Sequence, residues 1–143
     1  MKTTEACPFC ETFSRKVRYS HTVHTAKDAL IYLEYFRSRR QEYLIALSLD
    51  SANRLITRRI ITIGLLDTAL AHPREIFAGA IEDRAASVVI AHNHPSGDTS
   101  PSKQDITMTQ QVAAAGIVLG VPLKDHIIIA SKGYYSFSGN HLI

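Results

Sequence analysis

Val88, Val89, Ile90 and Ala91 form a short, wholly apolar run that leads straight into His92, Asn93 and His94. An apolar run this short, entered at Ser87 and closed by the turn-forming Pro95 and Gly97, reads as a strand rather than a helix. Alternate residues at a strand end point to the same side, so His92 and His94 aim two imidazoles at one place. That place lies at the C-terminal end of the strand, where loops carry the sites of mixed α/β folds.

The segments around this strand predict a layered domain. Thr25 followed by Asp28 has the form of a capping box, opening a helix that runs to about Arg39 with Ala29, Leu30, Leu33, Tyr35 and Phe36 on its apolar side. Residues 15–23 read as a short strand ahead of it. Glu42 to Leu49 alternates, Asp50 to Asn53 carries turn chemistry, and Arg54 to Ile63 is β-branched up to Gly64, which together predict a hairpin. Pro73 and Glu75 open a second helix with Ile76, Phe77, Ala80 and Ile81 on one side, ending near Ala85. Ser102 and Asp105 open a third, finishing at Val112 to Ala115 before Gly116, and Val121 to Ala130 and Tyr134 to Phe137 are strands around the Lys132-Gly133 turn. The order predicts an α/β, α+β layered fold, with a mixed sheet of about five to six strands flanked by three helices, and not a doubly wound parallel one.

Ser102 and Asp105 alone need no chemistry, because Ser-x-x-Asp ahead of an apolar helix is a helix cap. With His92 and His94 upstream, Asp105 also supplies a third donor from a separate element. Two imidazoles and a carboxylate suit a zinc ion that keeps a fourth position open, as in catalytic rather than structural sites.

His-x-His-x7-Ser-x-x-Asp resembles the signature of the JAMM (JAB/MPN) metalloprotease superfamily. Within it, His92 to Asp98 with Pro101, Ser102, Asp105 and Ile106 resembles the RadC form, and His72 to Phe77 and Asp125 to Ile128 match that family's other blocks. The likeness covers roughly residues 20 to 143 and implies a JAB/MPN, cytidine-deaminase-like architecture. It further implies that His92, His94 and Asp105 are zinc ligands, that Ser102 steadies the water or the oxyanion, and that a glutamate on an early strand is the general base. Glu42, in Gln41 to Leu47, is the match. The implied activity is hydrolysis of amide or isopeptide bonds in a protein or peptide substrate. Glu75 is the other candidate base, although in a first helical turn it is already explained by the helix dipole. His126, beside Asp125, is either support for the site or a satisfied core histidine.

Composition sets the remaining bounds. With 143 residues, 45% of them hydrophobic, the chain suits one domain with a core of its own; residues 21–143 are assigned to it and residues 1–20 to an N-terminal tail. That tail carries the only cysteines, Cys7 and Cys10, and with His21 and His24 they form Cys-x2-Cys-x10-His-x2-His. Those four are donors for a second, structural zinc at tighter spacing than the usual finger, or the thiols are incidental. The net charge is +3, with arginines gathered at Arg37, Arg39 and Arg40 and again at Arg54, Arg58 and Arg59. If these runs met they would form a basic patch suited to nucleic acid, the alternative to hydrolysis being a DNA-repair-associated accessory domain with a non-catalytic metal site. No apolar run has the length of a membrane span and no signal peptide is recognisable, so a cytoplasmic location is expected.

Overall fold

The computed structural model describes residues 21–64 and 72–143. Its elements are α1 (Ala26–Leu33), a 3-10 turn (Glu34–Phe36), β1 (Tyr43–Leu49), β2 (Leu55–Ile63), α2 (Pro73–Glu82), β3 (Ser87–Asn93), α3 (Lys103–Leu119), β4 (Leu123–Ile129) and β5 (Tyr134–Ser136). The five strands form one sheet in the order β2-β1-β3-β4-β5, in which only β3 and β4 run parallel. This is the mixed sheet with three helices that the order of elements predicts.

Alternation within the strands divides the core between the two faces of the sheet. Ile45, Leu47, Leu49, Val89, Ala91, Ile127 and Ile129 pack on Ala29, Tyr32, Leu33 and Phe36 of the α1 segment. On the opposite face Leu44, Ala46, Val88 and Ile90 pack on Ile76, Phe77 and Ala80 of α2 and Met108 and Val112 of α3. Buried on both faces, β3 has no polar residue between Ser87 and His92. His92 therefore follows Val88 and Ile90 onto the α2/α3 face.

Both predicted capping boxes form. Thr25 and Asp28 exchange side-chain and backbone hydrogen bonds at the start of α1, and Ser102 and Asp105 do the same at α3. Two helix boundaries and one helix face differ from expectation. Helix α1 stops at Leu33 and tightens into the 3-10 turn, which leaves Tyr35 41% exposed. Ile81 is also exposed, because the α2 core face is narrower than its sequence suggests. Helix α3 runs through Gly116 to Leu119 and ends at Gly120, whose left-handed φ of 71° makes it the C-cap. Gly116 serves close packing instead, since a Cβ there would lie 2.7 Å from the Val121 carbonyl oxygen. The strand expected over residues 15–23 lies mostly outside the described residues; its described end contributes an isolated bridge between Thr22 and Arg54.

Several of the arginines have separate partners. Arg58 reaches across one face of β2 to the Tyr32 carbonyl, whereas Arg59 reaches across the other to Asp83, 2.6 Å away. Arg37 donates to the Ala130 and Gly133 carbonyls, and Arg54 pairs with Asp50. No helix among the described residues is long and apolar enough to cross a membrane.

Candidate metal centre

The last ladder pair of β1 and β3 is Leu44 with His92, so the two strands end together. Beyond that point the β3 backbone is held from the other side, where the His94 amide donates to the Ile129 carbonyl at 2.8 Å. This one further step keeps His94 in register with His92, two residues apart and on one face. Their Nε2 atoms are 2.8 Å apart.

Helix α3 brings the carboxylate. The cap at Ser102 directs Asp105 inward: the Ser102 amide donates to Asp105 Oδ2 at 2.8 Å, and the Asp105 amide donates to Ser102 Oγ at 3.1 Å. From there Asp105 Oδ1 lies 3.2 Å from His92 Nε2, and Oδ2 lies 3.5 Å from His94 Nε2. Burial alone would raise the Asp105 pKa, but the neighbouring His92 and His94 imidazoles and the Ser102 amide outweigh it and hold the carboxyl well below its usual range. It is a carboxylate at any physiological pH.

These three side chains are one ligand set by geometry, with a donor atom from each lying within 4.8 Å of the others. Donors on a tetrahedral zinc with bonds of about 2.0–2.2 Å are about 3.3 Å apart, close to the spacings present here. The chemistry of the donors agrees. His94 Nδ1 lies 2.6 Å from the Asp98 carbonyl oxygen, which can only accept, so Nδ1 carries the ring proton and Nε2 presents a lone pair. A lone pair and a carboxylate converging on one point suit a cation. The hydrogen bond to Asp105 holds the His94 pKa above its ordinary value against partial burial, with help from the Asp98 carbonyl and the charges of Asp105 and Glu42.

The charge of Glu42 acts on His94 because Glu42, half-buried just before β1, precedes Leu44 and Ala46 on the strand and so faces the same side as the histidines. Its carbonyl accepts from the Gly64 amide at 2.8 Å, tying the β1 start to the β2 end. Asn93 completes the placement from the opposite face. Wholly buried, it accepts from the Tyr43 amide at 2.7 Å and donates to the Gln41 carbonyl at 2.9 Å and the Arg39 carbonyl at 3.3 Å. One side-chain amide thereby continues the ladder where backbone pairing stops.

Other expected residues are distributed differently. Glu75 is exposed, paired with Arg74 at 3.2 Å, and lines a separate cavity with Arg59 and Glu82. Cys7 and Cys10 lie outside the described residues, and His24 Nδ1 accepts from Asn53 Nδ2 at 3.2 Å. His126 is buried in the site, with Nε2 2.7 Å from His92 Nδ1. Burial pushes its pKa well below the usual value. Thr109 and Asn93 are the contributors that sequence reasoning missed. Thr109 had a signal, since it stands one helical turn after Asp105 and so on the same face of α3.

The RadC-like JAB domain model matches residues 23–142. The chain belongs to the RadC-like JAB domain family. Similar to this RadC-like domain are UPF0758 proteins from Clostridium perfringens, 39% identical over 99% of this chain and 64% of the relative, and from Protochlamydia amoebophila, 41% identical over 87% of this chain and 51% of the relative. A third, from Methanospirillum hungatei, is 51% identical over 62% of this chain and 39% of the relative. The matched stretch of this RadC-like domain thus spans only 39–64% of the length of these relatives.

Proposed function

We propose that this domain is a zinc-dependent hydrolase of amide or isopeptide bonds in a protein or peptide substrate, acting by direct attack of water without a covalent intermediate. The observation that carries this reading is the convergence of His92 Nε2, His94 Nε2 and the Asp105 carboxylate within zinc-binding distances of one another, with Glu42 near enough for its charge to act on His94. Bound by these three residues, zinc would supply Lewis acidity, lowering the pKa of a water to about 7 and polarising a scissile carbonyl.

The remaining work falls to the protein. Glu42, a carboxylate on the histidine side of the sheet, accepts a proton from the attacking water and passes it to the leaving amine nitrogen. Ser102 Oγ accepts from the Asp105 amide, so its own proton is left to donate to the oxygen on which charge develops. Asp105 keeps its charge throughout, which prevents the general base from losing its proton to a neighbouring ligand.

Zinc content and cleavage of a mixed library of peptides and lysine-linked isopeptides test the reading together. Wild type is expected to carry one equivalent of zinc and to cleave; Glu42→Gln is expected to keep the zinc and to lose roughly 10²–10⁴-fold in rate. Full activity in Glu42→Gln would remove Glu42 from the role of base, and wild type without zinc would remove the metal centre.

A further inference from the structure

Behind the ligands lies a hydrogen-bonded circuit that links the Asp105 backbone to His92. Thr109 Oγ1 is 2.6 Å from the Asp105 carbonyl oxygen, one turn earlier on α3, and 2.6 Å from His126 Nδ1. A carbonyl only accepts, so the single hydroxyl proton of Thr109 goes to Asp105, and Thr109 Oγ1 must accept from His126 Nδ1. His126 is wholly buried and stacked on Phe137, with ring centroids 4.6 Å apart and planes within 9°, so it is held as a neutral ring with one proton. That proton being on Nδ1, His126 Nε2 is an acceptor, and the 2.7 Å contact with His92 requires the proton on His92 Nδ1. His92 Nε2 is left with its lone pair directed at His94 Nε2 and the Asp105 carboxylate.

From this circuit we infer that Thr109 and His126 are positioning residues that lock His92 in the one tautomer able to bind a metal through Nε2. The inference deepens the metal-centre reading and rests on it. It gives a physical role to a threonine on the inner face of α3: Asp105 supplies a ligand with its side chain and, through its backbone, dictates the proton position on another ligand 13 residues before it. Donation runs from the β3 ring to the β4 ring and then through Thr109 to the helix backbone carbonyl, so the three elements that meet at the site must be assembled before the tautomer is set. Outer partners of metal-bound histidines act in this way generally, and losing one weakens metal affinity by about 10–100-fold.

Thr109→Val keeps the volume and removes the hydroxyl; Thr109→Ser keeps the hydroxyl. Zinc affinity of the whole chain, measured by competition with a chromophoric chelator, is expected to weaken about 10–100-fold in Thr109→Val and to stay near wild type in Thr109→Ser. Equal affinity in wild type and Thr109→Val, or equal weakening in both variants, would overturn the inference while leaving the metal centre standing. Wild type that takes up no zinc would overturn both. Imidazole nitrogen NMR of zinc-loaded wild type gives a readout independent of any variant's folding: His126 is expected with its proton on Nδ1 and a bare Nε2, and the opposite tautomer overturns the circuit.

Discussion

His92 and Asn93 are neighbours on β3, both wholly buried, and they point to opposite faces of the sheet. Asn93 is saturated. Its carboxamide meets two carbonyls and one amide, and each bond ties the Arg39–Tyr43 segment to β3. His92 is hydrogen-bonded to His126 on one side, and its other nitrogen faces the imidazole and the carboxylate of the two other candidate ligands. Burying a polar group is costly unless it is hydrogen-bonded. A fold that ties one residue to backbone groups and turns its neighbour toward two candidate metal ligands has separated stability from chemistry across one peptide bond.

Substitutions on the two faces should therefore fail differently. The largest effect is expected for Asp105→Ala, which removes one donor and leaves the two imidazoles without a counter-charge; zinc content measured after gel filtration should fall from one equivalent to none. Retention of the zinc would break the comparison, because the acceptors on this face would then have no common purpose. Asn93→Ala is expected to do the reverse. It strands part-buried backbone groups at Arg39, Gln41 and Tyr43, costing about 1–3 kcal/mol in denaturant unfolding, while one zinc equivalent is retained. Loss of zinc without loss of stability in Asn93→Ala would show that the two faces are not separate.

A smaller effect sharpens the same contrast through pH. The His94 pKa is raised in the metal-free fold, so its contribution to stability is fully present below its unfolded pKa of about 6.5 and is lost as pH rises through the folded value. Asp105, depressed, contributes above its unfolded pKa of about 3.9 and loses that contribution only in strong acid. Metal-free protein should thus be most stable in the mildly acidic range and soften toward alkaline pH. Zinc-loaded protein should show the opposite trend, because protons compete with the metal for His94. Unfolding of the metal-free chain across pH 5 to 9 checks the first, and chelator competition over the same range checks the second.

Much of this architecture was legible from neighbours in the chain. The alternation in β1, the apolar run of β3 and the two capping boxes each depend on residues within a turn or a strand of one another, and each forms as expected. The misjudged boundaries have a common cause. The helical pattern of α1 continues past Leu33, but the chain must tighten there to lay Phe36 into the core; Gly116 has the composition of a helix stop, but its missing side chain is needed for contact with the segment before β4. Local propensity is a weak guide once packing sets the path. At the site, His92, His94, Asp105 and Glu42 were readable as candidates. His126 was ambiguous and Asn93 silent, because neither has a local partner.

By itself the sequence determined that two histidines share one side of a strand end, that a capped helix starting nearby carries a carboxylate, and that the domain is a layered mixed sheet. Those properties follow from the periodicity of strands and the hydrogen-bonding needs of helix ends, which act over a few residues. Only the tertiary structure decided that Asp105 reaches within 3.2 Å of His92, that His126 contacts His92 across 34 residues, and that Asn93 binds Tyr43 across 50. These contacts depend on sheet order and register, and a one-residue slip would carry His92 to the opposite face. Tautomer and donor spacing are consequences of that register, which only the packed sheet and helices together establish.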